Sequence, residues 1–135
     1  MKDQYIAVMQ RYLQALGDED YAAIVALFTS TGRVLSPFLG DMAVRPFFER
    51  LGGASRRNVI TPIDLFVSAG ETNRATAFFR YDWTVQDGTL ISFEVMDLFE
   101  FAPGSDRVQR LSLIYDTHPI RSTVGNKYEA VKPSA

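Results

Sequence analysis

Thr89–Phe101 reads TLISFEVMDLFEF and is the stretch that decides the fold. Its apolar residues recur at every second position, the spacing of side chains on one face of a β-strand. Asp97 has the same spacing, so the pattern predicts a carboxylate among large apolar side chains. An unpaired buried charge is costly, so Asp97 must either find a partner or stay protonated. The apolar members of this face are Ile91, Phe93, Val95 and Phe99.

A partner strand is predicted within Arg74–Gln86, because Asp87-Gly88 is a strong signal for a two-residue type I′ hairpin turn. With that turn, the side chains that share the face of Asp97 would be Phe78, Arg80 and Asp82. Helices would cover this face, and a second subunit would cover the other. The opposite face would carry Phe79, Tyr81, Trp83, Met96 and Leu98.

The composition is that of an ordinary globular chain, with 135 residues, 47% hydrophobic content and a net charge of −2. This length predicts one domain, 1–135, with a sizeable core. Mild acidity argues against a nucleic-acid partner. One histidine, no cysteine and no phosphate-binding glycine loop predict no metal site and no cofactor. The sequence contains no long apolar run and no signal pattern, so it does not predict membrane association. A cytoplasmic location is therefore expected.

The rest of the sequence predicts helices in the N-terminal part of the chain and mainly strands after them. Helical spacing predicts Lys2–Leu16, a second helix capped by Asp18 or Asp20 and ending near Phe28, and a third over roughly Asp41–Leu51. Strands are expected at Asn58–Ala69 and Arg107–Thr117, and the tail 119–135 is expected to be loose. This order predicts an α+β fold in which three N-terminal helices pack on one curved, mostly antiparallel sheet around a conical pocket.

Several stretches resemble ketosteroid isomerase, in the nuclear transport factor two-like superfamily that also holds the SnoaL-like polyketide cyclases. They are AVMQRYLQAL, GDEDYAAIVALF, SPFLG and MDLFEF, within a match from about Tyr5 to Asp116. The resemblance implies a cone-shaped fold and a homodimer through the outer face of the sheet. Ketosteroid isomerase combines a carboxylate base with an oxyanion hole made by a tyrosine and a protonated aspartic acid.

The resemblance assigns the tyrosine to Tyr12 and the protonated aspartic acid to Asp97. The position of the base holds Ser36, so the isomerase base is missing. The position of a second tyrosine of the hydrogen-bond network holds Phe48. Tyr12 has an alternative reading as a core tyrosine with a satisfied hydroxyl. The alternative for Asp97 is an ion pair with Arg80, which would keep the carboxylate charged.

SnoaL-like cyclases resemble the chain in its last strand, where LIYDTHP places Asp116. By this resemblance Asp116 would be the replacement base, assisted by His118, while Tyr12 and Asp97 stabilise an enolate. The alternatives are a turn residue for Asp116 and a surface-loop residue for His118. Alternation predicts that Arg110, Ser112 and Ile114 share the face of Asp116.

The sequence therefore predicts a SnoaL-like protein that binds a small hydrophobic or carbonyl-containing molecule. Its predicted activity is that of a cofactor-free isomerase, cyclase or lyase that enolises its substrate. The alternative is a non-catalytic binding or dimeric assembly module that has lost the base. Besides the catalytic candidates Tyr12, Asp97 and Asp116, the residues expected to contact the ligand are Ser36, Phe48, Phe78, Arg80, Asp82, Phe93, Val95, Ser112, Ile114 and His118.

Overall fold

The computed structural model describes residues 1–121 as three helices packed on one curved, mostly antiparallel six-stranded sheet. The predicted α+β architecture is confirmed. The helices are α1 (Lys2–Gly17), α2 (Tyr21–Val25) and α3 (Val44–Ala54). The strands are β1 (Phe28–Ser36), β2 (Gly40–Ala43), β3 (Ser55–Val67), β4 (Arg74–Val85), β5 (Leu90–Phe101) and β6 (Val108–Tyr115). The predicted tail lies, from residue 122 onward, outside the described residues.

The helices begin and end close to the predicted positions, with two differences. Asp20 caps α2 by accepting the backbone N–H of Ala23 at 3.1 Å, but the helix ends at Val25 and a strand already begins at Phe28. The third helix starts at Val44 rather than Asp41, because residues 40–43 pair with β1 as a short strand. This start puts Pro46 in the first turn, where its missing N–H breaks no helical hydrogen bond.

The strands run in the order β2-β1-β6-β5-β4-β3, and the β1–β6 pair alone is parallel. β3 is an edge strand with a register shift between Pro62 and Asp64, and edges and bulges are the places where a sheet tolerates a proline. One face of the sheet packs against the helices to form the core, and the opposite face stays uncovered within residues 1–121. No helix in this range is long and apolar enough to cross a membrane.

The hairpin between β4 and β5 differs from its prediction by one residue. Val85 donates its N–H to the carbonyl of Thr89 at 3.0 Å, so the loop contains three residues, Gln86 to Gly88. Only Gly88 among them has a positive φ, +89°. A three-residue loop that ends in a left-handed glycine is a common hairpin type. Asp97 consequently pairs with Ala77, not with Phe78.

This shift reverses which face of β4 meets the helices, since neighbouring residues of a strand point to opposite sides. Phe79 and Tyr81 are buried on the inner face, and Trp83 lies there with them. Their predicted position in a subunit interface is wrong. Phe78, Arg80 and Asp82 lie on the outer face, so their predicted contact with the ligand is wrong as well.

Candidate functional site

A cavity of about 310 Å³ lies between the helices and the inner face of the sheet. Its walls are mainly aromatic and aliphatic, which suits an apolar small molecule. One end is buried and contains Tyr12, Phe48 and Asp97, while the other end includes the exposed residues Phe38 and Arg50. The cavity therefore runs from the protein surface into the core.

Asp97 and Tyr12 form a dyad at the buried end. α1 contributes Tyr12, which is 2% exposed, and β5 contributes Asp97, which is 1% exposed. The Tyr12 hydroxyl donates to Asp97 Oδ2 at 3.0 Å. The rings of Phe99 and Phe48 meet the Tyr12 ring edge-on, with centroids 5.1 and 6.4 Å away, and thereby hold its orientation. The structure thus brings together two of the three residues that the sequence predicts to be catalytic.

The second carboxylate oxygen, Asp97 Oδ1, is buried and has no hydrogen-bond partner among residues 1–121. Most buried polar atoms in proteins are paired, so an unpaired one requires an explanation. Burial raises the pKa of Asp97 to about 7, although the hydrogen bond from Tyr12 acts to lower it. Asp97 can therefore hold or release a proton near neutral pH, and Oδ1 is the atom available for the exchange.

The proposed ion pair between Arg80 and Asp97 does not form. Arg80 lies on the outer face, where its Nε contacts Asp82 Oδ1 at 3.2 Å. This arrangement leaves the charge of Asp97 without a cationic partner in the described part of the chain. The same desolvation raises the pKa of Tyr12 well above its ordinary value, with a further contribution from Asp97, so Tyr12 remains a hydrogen-bond donor.

Ser36 lines the cavity from β1, but its oxygen is engaged with the backbone. Ser36 Oγ accepts the N–H groups of Phe38 and Leu39 at 3.3 and 3.2 Å and so shapes the loop at the cavity mouth. Phe48, Phe93 and Val95 also line the cavity, as predicted.

The prediction for the last strand has the wrong face. Ser112 and Ile114 point away from the cavity, and Leu113 and Tyr115 line it instead. Asp116 is exposed and accepts the backbone N–H of His118 at 2.9 Å, which is a turn contact. His118 is exposed too. The expected place of Asp116 and His118 at the pocket is wrong, and the alternative turn and surface readings agree with the structure.

Several lining residues were missed by sequence reasoning. Tyr81 is buried and donates to Asn58 Oδ1 at 2.9 Å, and its ring stacks on Phe93 with centroids 5.3 Å apart. Tyr115 packs on the other side of Phe93 at 4.9 Å, and burial raises the pKa of its hydroxyl to about 12. Alternation within β4 and β6 was the available signal, because Phe79, Tyr81 and Trp83, and likewise Leu111, Leu113 and Tyr115, form continuous apolar rows.

Comparison with known proteins places these features in a family. The SnoaL-like domain model matches residues 9–110. No curated protein matches the chain.

Three solved structures resemble the chain at low sequence identity. The first is a Bacillus subtilis protein described as a putative isomerase (12% identity, 87% of this chain and 90% of that one, TM-score 0.73). The second is SalBIII, described as an epoxide hydrolase/cyclase-like enzyme in pyran ring formation (17%, 85% and 92%, TM-score 0.70). The third is a Catenulispora acidiphila protein with a ketosteroid isomerase-like fold, in complex with trimethylamine (12%, 80% and 84%, TM-score 0.68).

Proposed function

Since the chain belongs to the SnoaL-like domain family, we propose that it is a cofactor-free isomerase, cyclase or lyase whose acid/base group is Asp97. The observation that carries the proposal is that Oδ1 of this buried carboxyl, whose pKa lies near 7, has no partner in the described part of the chain. Asp97 is the only aspartate or glutamate among the residues found to line the cavity. The role first expected of Asp116 therefore passes to Asp97 in this proposal.

The proposed step is proton transfer next to a carbonyl group. Ionised Asp97 takes a proton from the α-carbon through Oδ1, and the electron pair of that C–H bond moves to form an enolate. Asp97 then returns the proton to the same or another carbon. In a cyclase, the enolate carbon instead attacks a second carbonyl carbon of the substrate, and the alkoxide that forms takes the proton from Asp97. Tyr12 stabilises the carboxylate through Oδ2, and the hydroxyl of Tyr115 is a donor available to the enolate oxygen.

The experiment that tests this proposal is deuterium exchange of the α-protons of tetralone in D₂O, followed by proton NMR. This readout reports enolisation without knowledge of the natural product. We expect the wild type to accelerate exchange and Asp97→Asn to lose about a hundredfold or more, which is typical for removal of a positioned acid/base group. The matched controls Asp116→Asn and Asp82→Asn should retain full activity. Exchange by Asp97→Asn at the wild-type rate would refute the proposal.

Tyr12→Phe adds a second readout of the same dyad. Removing the donor to Oδ2 should raise the pKa of Asp97 above 7, since that hydrogen bond favours the charged form. The pH–rate profile of this variant should therefore shift to higher pH. An unshifted profile would mean that the Tyr12 hydroxyl does not act on the catalytic carboxyl.

The second candidate function is a non-catalytic ligand-binding module. It is favoured by Ser36, which holds the base position and uses its oxygen for two backbone contacts. Under this alternative, tetralone would stabilise the protein in a thermal-shift experiment and show no exchange above the buffer rate. Binding without exchange separates the two functions.

The proposal includes a homodimer through the outer face of the sheet. Met96 pairs directly with Ile114 and Phe78 on neighbouring strands, and Phe66 lies on the same face. Phe66, Met96 and Ile114 are 45%, 40% and 54% exposed, and an exposed apolar patch of this kind often marks an interface. Met96→Glu should convert the dimer to a monomer in sedimentation equilibrium, whereas Thr76→Glu at the edge of the patch should weaken it less.

A further inference from the structure

The charge pattern of the cavity carries information about its ligand. One side of α3 faces the cavity through Phe47, Arg50, Leu51 and Ala54, which is the i, i+3, i+4, i+7 spacing of a helix face. Three of these residues are apolar and the fourth is a guanidinium group. Among the residues found to line the cavity, Arg50 is the only lysine or arginine.

Arg50 lies at the exposed end of the cavity, opposite the buried dyad of Tyr12 and Asp97. Within residues 1–121 the guanidinium group of Arg50 forms no ion pair. Its guanidinium group is thus available at the mouth of an otherwise apolar site. A guanidinium group recognises carboxylates in particular, because its planar fork can donate two parallel hydrogen bonds.

The aromatic walls between the two ends favour a planar ligand. Tyr81, Phe93 and Tyr115 form a continuous series of ring contacts, with Tyr81 and Phe93 nearly parallel at 16°. The ring of Trp83 meets Tyr81 edge-on with centroids 6.1 Å apart. Such walls contact flat aromatic or conjugated rings over a large area.

From these three observations we infer that the ligand is a planar aromatic or conjugated carboxylate, with a carbonyl or hydroxyl oxygen at the end remote from the carboxylate. The end of the ligand that carries this oxygen lies beside Asp97 in the buried part of the cavity, the rings lie along the aromatic walls, and the carboxylate pairs with Arg50 at the mouth. This inference rests on the proposed function for the role of the buried end. It adds the anionic group and the residue that recognises it.

The test is isothermal titration calorimetry with three related probes: para-phenylphenol, para-hydroxybiphenyl carboxylate and the methyl ester of that carboxylate. The acid and the ester differ mainly in charge. We expect the wild type to bind the acid about tenfold more tightly than the ester, a modest value for an exposed charge-assisted pair. This preference should decrease as ionic strength rises, because exposed charges are screened.

Arg50→Gln should abolish the preference for the acid and leave the affinity for the ester unchanged. The matched control is Arg45→Gln, which removes an exposed arginine from the same helix but does not line this cavity. That control should keep the full preference. An equal preference in wild type and Arg50→Gln would overturn the inference, and so would failure of all three probes to bind.

The outcomes of this test and of the exchange experiment are separable. An Arg50-dependent preference without α-proton exchange would uphold the ligand class and reject the enzymatic activity. If α-proton exchange depends on Asp97 but Arg50 has no effect on the preference for the acid, the enzymatic activity is upheld and the ligand class is rejected.

Discussion

Each face of the β4–β5 hairpin carries an aspartate, and the two aspartates lie in different surroundings. On the inner face, Asp97 is 1% exposed and receives one hydrogen bond, from Tyr12. On the outer face, the side chain of Asp82 is 25% exposed and accepts from Ser92 Oγ at 2.6 Å and from Arg80 Nε at 3.2 Å. Within residues 1–121, Asp82 has two partners and contact with solvent, whereas Asp97 has one unpaired oxygen beside a cavity. We therefore expect proton transfer at Asp97, the carboxylate with fewer hydrogen-bond partners.

The apolar residues of the two faces offer the largest contrast in stability. Phe79 is 1% exposed and lies on the inner face, while its neighbour Phe78 is only half-buried on the outer face. Phe79→Ala should lower the free energy of unfolding by about 3–5 kcal/mol, the usual cost for a core phenylalanine. Phe78→Ala should cost clearly less in dilute protein, where any dimer dissociates. Urea unfolding checks both, and equal losses would contradict the assignment of faces.

The next largest effect is the pH dependence of stability that follows from the buried carboxyl of Asp97. The folded-state pKa of Asp97 is about 7, above the ordinary aspartate pKa of 3.8, so folding favours the protonated form. The stability that Asp97 contributes is fully present below pH 3.8 and is lost as the pH rises through about 7. The loss amounts to at most about 4 kcal/mol, at 1.36 kcal/mol for each unit of pKa.

Asp97→Asn should abolish this loss, because an amide cannot ionise. The variant should therefore gain stability relative to wild type as the pH rises from 4 to 8, measured by urea unfolding across that range. A constant difference between Asp97→Asn and wild type at all pH values would show that Asp97 is not a buried titrating group.

The smallest effect is expected for the Arg80–Asp82 pair on the outer face. Exposed ion pairs contribute about 1 kcal/mol or less, and salt screens them. Arg80→Gln should therefore change the free energy of unfolding only slightly, and the change should diminish in high salt. In dilute protein, where any dimer dissociates, a loss of several kcal/mol would contradict the exposed position of this pair.

Residues of β5 illustrate what the sequence can predict about the site. The alternation of Ile91, Phe93, Val95 and Phe99 placed Asp97 on an apolar face, and the structure confirms this placement. Helical spacing in α1 placed Tyr12 on the buried side in the same way. Both conclusions depend only on the period of one element, which its own side chains specify.

The partner of β5 shows where sequence reasoning failed. Asp87-Gly88 predicts a two-residue turn, and the actual loop also includes Gln86. Both loop lengths use a left-handed glycine, so the turn residues alone do not separate them. The alternation within β4 was the stronger evidence, since Ala75, Ala77, Phe79 and Tyr81 form one buried row. The apolar row of the strand decides the register, because burying all of its side chains contributes more to the free energy of folding than the choice of turn does.

The sequence by itself determined the order of helices and strands, the apolar face of each element and the presence of an aspartate on a buried face. These properties follow from local spacing and from the cost of exposing apolar surface. Only the tertiary structure decided that Asp97 meets Tyr12 rather than Arg80, that Asp116 lies outside the cavity and that Arg50 lies at its mouth. The physical reason is that these relations join distant elements, so register and curvature, which depend on the whole sheet, place the side chains that share a site.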